Sequence, residues 1–415
     1  MNLEIKLPKS ARRFGAAVIA SGAVWLSFAG PAGAQSSLTD LPGLNSGGLV
    51  LAPAVPDIPP LSVVSPLTFN FTLGPGLVAL QTSNPPLATN VVNGFNAAAD
   101  LWRAEFVDPI TINVTIDFQS LGAGILGSTG NQTAGFNYGT TRTALVGNAL
   151  SANDVVATSP LSLPAVAARS FFTNNRGGTL ILDNDGSANN SVLDIPRANL
   201  KAIGLLGAND PASDGAVTFS SNFAFDFNRG DGISGGQFDF VGVAAHEIGH
   251  LMGFVSGVDT VDFYSGPNGP AKNDDLNGAT AGIGTLDPFR VFSILDLYRY
   301  SAQALAQGAG VLDLAYGDTP FFSINAGATN LGTFSTGQFN GDGRQASHWK
   351  DNLSLGIMDP TFAPGELGVI SSLDRLAFDV IGYDVSPVPE PSSVVTVMGL
   401  LGLIGWRERG RARRA

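Results

Sequence analysis

None of the 415 residues is a cysteine, so no disulfide, thiolate metal site or thiolate nucleophile enters this fold or its chemistry. Whatever holds the chain together must come from buried side chains. Apolar residues make up 44% and charged residues 13%, about half the usual charged share, which excludes wholesale disorder. The 52 glycines and 25 prolines predict long loops and frequent turns. Only three histidines are present, so any histidine-based site can be enumerated by hand.

The formal charge of −12 conceals three regions. Lys6, Lys9, Arg12 and Arg13 outweigh Glu4, and the five arginines from Arg407 to Arg414 outweigh Glu390 and Glu408. Each end is therefore +3 and the stretch between them −18. A body that acidic has no general attraction for nucleic acid, which excludes that class of partner. At the N-terminus, the basic residues precede an apolar run from Phe14 to Gly30 and then Ala32-Gly33-Ala34. That order is a secretory signal over residues 1–34, and the run is short of the ~20 residues a spanning helix needs. At the C-terminus, Val388-Pro-Glu-Pro391 leads into the apolar run Val394–Trp406 and then the arginines. This tripartite order over 386–415 resembles the PEP-CTERM sorting signal of Gram-negative bacteria. The resemblance implies recognition by an exosortase-type transpeptidase, transient membrane contact and delivery to the cell surface or extracellular matrix. A plain membrane anchor is the alternative, and both export the main body.

Between the two ends, residues 35–65 are rich in Pro, Gly, Ser and Leu without periodicity, as in a linker or short pro-segment. Apolar residues near a 3.6 period predict a helix over Ala88–Phe106. Strict alternation predicts a strand over Ile110–Phe118. Further strands are expected at Thr179–Leu182 and Val217–Phe227, with a short helix at Ala198–Leu206 and a helix-like stretch at Phe289–Ala306. Gly122-Ala-Gly124-Ile-Leu-Gly127 fits a dinucleotide fingerprint, but the Ser-Thr-Gly-Asn-Gln-Thr after it cannot open an apolar helix, so chance is the better account. Asp183-Asn184-Asp185 and Asp226-Phe-Asn228-Arg-Gly-Asp231 offer oxygen ligands of the kind Ca²⁺ takes, without the full loop pattern of a calcium-binding hand.

The informative segment is His246-Glu247-Ile-Gly-His250, with the apolar lead-in Phe238, Phe240, Val241 and Val243. Histidines four apart on a helix share one face about 6 Å apart along its axis, a spacing that suits two ligands of one Zn²⁺. Glu247 follows the first ligand directly and is the candidate general base for water attacking a carbonyl. A catalytic zinc needs a third protein ligand and one open position. Asp259, Asp296 and His348 remain open as the third. Met358 lies ten residues past His348 in a turn-forming context. Ser371 or Ser372 caps a closing helix whose apolar face is Leu373, Leu376, Ala377, Val380 and Ile381.

His-Glu-Ile-Gly-His with Gly253-Phe254, a distant Ser-His348-Trp-Lys, Met358 and a final Ser-Leu-x-x-Leu-Ala helix together resemble the leishmanolysin-type branch of the metzincin zinc peptidases. The resemblance covers residues 238–385 by motif and 88–237 more loosely. It implies an α+β fold with a mixed sheet and helices in an upper subdomain (66–255) that ends in the active-site helix. A loop-rich lower subdomain (256–385) would follow. It further implies one catalytic zinc on His246, His250 and His348, Glu247 as base, and Met358 packed beneath the metal. The chain departs from leishmanolysin itself, which is disulfide-rich, and is closer to cysteine-free bacterial relatives with PEP-CTERM tails. The strand Val217–Phe227 would be the cleft edge, pairing with an extended protein or peptide substrate.

The expected activity is therefore an exported zinc endopeptidase. Its rival is a non-catalytic surface or matrix protein that keeps a zinc-stabilised fold for binding; such a module needs the histidines but not Glu247. Both ends read as processed addresses, so the mature form should begin near Gln35 and lack Val394–Ala415. Intact-mass measurement of exported protein checks this, and an arginine-rich tail still attached would favour a simple anchor.

Overall fold

The computed structural model describes residues 23–28, 66–161, 168–271, 286–287 and 290–386, which belong to one compact unit up to Val385. The linker 35–65 and the tail from 387 onwards lie outside the described residues, as do most of the leader and residues 162–167, 272–285 and 288–289. Among the described residues, no helix is long and apolar enough to cross a membrane.

The architecture is mixed α+β, with helices and several small sheets around one six-stranded sheet. That sheet consists of β1 (Ala23–Phe28), β2 (Thr68–Leu73), β3 (Thr111–Gln119), β4 (Ile125–Asn131), β5 (Gly215–Ser220) and β6 (Thr361–Phe362). Their order is β6-β1-β4-β5-β3-β2. Strands β2, β3 and β5 are parallel, β4 is antiparallel to both β5 and β1, and β1 is parallel to β6. The alternation seen over Ile110–Phe118 is the inward face of β3: Ile112, Val114, Ile116 and Phe118 are buried.

One expectation about this sheet is overturned. The predicted strand Val217–Phe227 ends at Ser220, turns, and resumes only as the two-residue strand Phe225–Asp226 beside Phe238–Asp239. Moreover, β5 is an interior strand between β3 and β4, so it offers no free edge. The neighbour of β5 on the side away from β3 is β4, and it carries the end of the stretch read as a chance nucleotide fingerprint. There Ile125–Asn131 is a strand, and no helix opens after Gly127.

Helix α1 (Pro75–Ser83) and helix α2 (Pro85–Glu105) follow β2. Pro85 and Pro86 occupy the first helical positions of α2, where no N–H is needed, and the Asn84 side chain accepts from Leu87 N–H. The 3.6 period is visible in what α2 buries: Ala88, Val91, Phe95, Ala98, Ala99 and Trp102. This face packs on helix α3 (Phe240–Met252), with Phe95 edge-on to Phe240 at 5.4 Å between ring centres. The backbones approach closely at Gly94, where a Cβ would lie 2.3 Å from the Phe240 ring. Trp102 donates its indole N–H to the Ala245 carbonyl at 2.9 Å.

Every residue of α3 is buried, so its histidines sit at the centre of the unit rather than on a surface. The helix stops at Gly253, whose φ of 125° suits glycine, and helix α4 (Val258–Tyr264) starts five residues later. The stretch Phe289–Ala306, expected as one helix, is broken instead. It contains a single 3₁₀ turn at Leu295–Tyr298, a strand at Arg299–Tyr300 and a short helix at Ala302–Gln307. Ser293 and Asp296 bond each other's backbone N–H groups, and Ser301 caps the new helix, so polar side chains divert the backbone from a continuous ladder. Helix α5 (Ser372–Val380) closes the unit with Ser371 and Asp374 in a reciprocal capping box.

The stretches on either side of residue 255 share structure: Leu312–Leu314 pairs in parallel with Phe171–Asn174, and Phe106 bridges to Val385. At that last junction Asp108 accepts from Asp384 N–H, and burial together with the Asp384 charge pushes its carboxyl up to about 8. Between about pH 4 and pH 8 the unfolded chain gives up this proton while the folded chain keeps it, so stability falls as pH rises. Asp108→Asn keeps an acceptor without the charge and should remove part of that decline. Thermal unfolding across this range checks it; an unchanged pH slope would assign the effect elsewhere.

Candidate metal centre

Three segments meet at the centre of the unit. Helix α3 supplies His246, Glu247 and His250, the loop 345–349 supplies His348, and the turn 356–358 passes underneath. All three histidines are fully buried and form, among the described residues, a group of three side chains able to hold a metal ion.

Hydrogen bonds on the far side of each ring set the tautomers. His246 Nδ1 lies 2.7 Å from the Ile357 carbonyl, His250 Nδ1 2.7 Å from the Phe254 carbonyl, and His348 Nδ1 3.1 Å from the Gln345 carbonyl. A carbonyl only accepts, so each Nδ1 carries the proton and each Nε2 presents a lone pair. These Nε2 atoms converge, at 2.9 Å (His246–His250), 3.1 Å (His250–His348) and 3.2 Å (His246–His348). Three lone pairs that close do not hydrogen-bond one another; they repel unless a cation lies among them. Bonds of ~2.05 Å at tetrahedral angles would put ligand nitrogens ~3.3 Å apart, a few tenths beyond what is seen. The donor set thus fits one small cation. Burial, and for His250 and His348 the neighbouring imidazoles as well, lowers all three basicities, His246 to about 4. The rings are neutral at physiological pH, which is the ligating form.

The alternatives for a third ligand are occupied otherwise. Asp259 accepts from Ala346 N–H at 2.6 Å and Ser347 N–H at 3.2 Å, and also bonds the Ser347 hydroxyl. Asp296 takes the Ser256 hydroxyl at 2.6 Å and Gly257 N–H at 2.8 Å. Neither carboxylate joins the group formed by the histidines. The clusters considered for Ca²⁺ are bound into their own turns: Asp183 accepts from the Asn189 amide, and Asp226 from Asn228 and Ser234 N–H.

Sequence reasoning missed the residues that set Glu247. The register of β4 against β5 pairs Gly127 with Phe219 and Thr129 with Val217, so all four point to the helix side of the sheet. Thr129 Oγ1 lies 2.6 Å from Glu247 Oε2 and 2.9 Å from its carbonyl oxygen. A Cβ at Gly127 would fall 2.6 Å from Glu247 Oε1, so only glycine leaves room for the carboxylate. Glu247 Oε1 itself is buried without a hydrogen-bond partner, and burial pushes the carboxyl up to about 8, against the Thr129 bond. A bound cation would act in the opposite direction and favour the carboxylate.

Met358 was expected beneath the metal by resemblance. It is fully buried against α3, where a Cβ at Gly249 would lie 2.5 Å from its sulfur. The glycine of His-Glu-Ile-Gly-His is therefore where the methionine packs. Asp374 of α5 fixes this turn from behind, accepting from Ile357 N–H at 2.7 Å and from the Trp349 indole at 2.8 Å.

Compared with protein-family models, curated proteins and solved structures, the chain matches none. What these residues define is a buried cluster of three histidines able to hold a metal ion, with an adjacent carboxylate.

The chain should take up one zinc equivalent. His246→Ala, His250→Ala and His348→Ala should each weaken binding severely. At a hundred times the dissociation constant, bound zinc should raise stability by about 2.7 kcal/mol. Metal analysis and thermal unfolding with and without chelator check this; undiminished zinc binding in His348→Ala would remove it from the site.

Proposed function

We propose that the chain is an exported zinc endopeptidase of the leishmanolysin-like branch of the metzincins. One observation carries the reading: a glutamate held on one oxygen by Thr129, with its other oxygen buried and unpartnered, follows directly on a histidine of the metal centre. Three neutral imidazoles are the protein donor set that a catalytic zinc would take, whereas a closed structural site uses four protein ligands. Zinc in that position would supply Lewis acidity, polarising a peptide carbonyl and acidifying water.

The chain's own groups do the rest. Glu247 takes the proton of the attacking water and returns it to the leaving amine. Thr129 holds one carboxylate oxygen and leaves the other to take a proton, and Gly127 gives the carboxylate its space. The three carbonyls on the Nδ1 side keep the imidazoles oriented.

The substrate is an extended peptide. Support comes from β1, which runs between β4 and β6, antiparallel to one and parallel to the other, as an added strand. Residues 23–28 belong to the leader. On our reading its removal frees the β4 edge for substrate, a role that sequence reasoning assigned to the interior strand β5. The sorting signal at the C-terminus directs the mature protein to the cell surface. A binding module without catalysis has no use for a buried carboxylate with one oxygen left unpartnered, which favours the enzyme over that rival.

Glu247→Ala should lower casein or gelatin hydrolysis by about 10²–10⁴-fold with zinc still bound, since the glutamate handles the proton and not the metal. Gly127→Ala should also cut turnover at unchanged zinc content, by displacing the carboxylate. An active Glu247→Ala protein would refute the assignment of the base.

A further inference from the structure

His250 and His348 are separated by 97 residues, yet their Nε2 atoms lie 3.1 Å apart. Something must hold the loop 345–348 against the end of α3. The backbone of His348 is anchored on its far side, where its carbonyl accepts from Ser335 N–H at 3.0 Å. Arg299, fully buried, donates to the Ala346 carbonyl at 3.4 Å and to the Ser335 carbonyl at 2.9 Å. Toward α3 the contacts converge on one carboxylate, at the first turn of α4.

We propose that Asp259 is the positioning residue that delivers His348 to the metal centre, a role that rests on the three-histidine zinc reading above. Both oxygens of Asp259 are engaged with the two residues just before His348: Oδ1 with Ala346 N–H, Oδ2 with Ser347 N–H and the Ser347 hydroxyl. Ser347 Oγ in turn accepts from Ser256 N–H at 2.8 Å. The turn that leaves α3 is fixed independently, by Asp296 on Ser256 Oγ and Gly257 N–H. A continuous hydrogen-bonded path thus joins the end of the metal helix to the residue before the third ligand. Asp259 neither ligates nor touches the His348 ring; it sets where the loop begins. Asp259, a candidate ligand by sequence, acts instead through His348.

A second carboxylate on the same helix provides the control. Asp262, also buried, accepts from Phe339 N–H at 2.7 Å and Asn340 N–H at 2.8 Å, clasping a different loop in the same manner. The test uses the whole chain, with zinc affinity read by chelator competition and ligand geometry by the visible spectrum of the Co²⁺-substituted protein. Asp259→Ala should weaken zinc binding 10–100-fold, the range for supporting residues of metal sites, and should lose the tetrahedral Co²⁺ bands. Asp259→Asn, which keeps one acceptor for Ala346 N–H, should recover part of both. Asp262→Asn should bind as the wild type does even where it melts earlier. Should Asp259→Ala fail to fold, Ser347→Ala removes the hydroxyl contacts alone and should give a smaller loss of the same kind.

Wild-type affinity and spectrum in Asp259→Ala would overturn the proposal, as would an equal loss in Asp262→Asn. A wild-type chain that takes up neither metal overturns this proposal together with the zinc reading. A chain that binds zinc through three histidines but hydrolyses no protein refutes the peptidase alone, because every readout here is metal binding.

Discussion

Three imidazole lone pairs brought within 3.2 Å of one another in a fully buried space are a repulsive arrangement that the rest of the fold must hold in place. Each ring is fixed from behind by a carbonyl, and each carbonyl belongs to a segment fixed by something else. Ile357 is held by Asp374, Phe254 sits on the sharp turn at Gly253, and Gln345 precedes the residues clasped by Asp259. A bound cation would relieve the repulsion, and folding and metal binding would then be two faces of one equilibrium. A chain with no cysteine has no covalent tie between residues 250 and 348. Here hydrogen-bonded carboxylates, and the metal when bound, take that part.

The buried aspartates explain how a chain with so few charges arranges so much loop. Asp259, Asp262, Asp296 and Asp374 each gather backbone N–H groups from a second segment. Loop backbone carries donors that no helix or sheet satisfies, and an ionised carboxylate accepting two or three of them is among the stronger neutral-to-charged bonds available. Burial pushes each of these acids upward, and the donated N–H groups oppose that push. In this respect the acidic body of the protein is structural, organising loops rather than repelling a polyanion.

How much was legible in the sequence follows from the range of each interaction. The pair His246 and His250 with Glu247 was legible because helical spacing is local, and helix α2 because its apolar period is strong. The Ser371 cap was visible for the same reason. Long-range facts were not. The order of strands in the sheet cannot be read from alternation, so Val217–Phe227 was taken as an edge although β4 covers it. The expected helix Phe289–Ala306 failed because Ser293, Asp296 and Ser301 compete for backbone bonds, which an apolar pattern does not register. Gly127 was hidden among 52 glycines, since its importance lies in what stands 2.6 Å from its absent side chain. Thr129 carried no signal at all; its partner is 118 residues away in the chain.

Strand β4 joins the two halves of the proposed chemistry. On one edge its backbone pairs with β1, Gly127 opposite Leu26 and Thr129 opposite Val24. On its helix face the same two residues bound Glu247, one by a hydrogen bond and one by leaving space. An extended peptide in place of β1 would therefore have its backbone registered by the very residues that aim the base. Strand pairing fixes the peptide along the strand direction to within one residue, because a slip of one turns every side chain to the other face. On the proposed reading, registration of the scissile bond and orientation of Glu247 are a single constraint. It is carried by a short stretch of one strand.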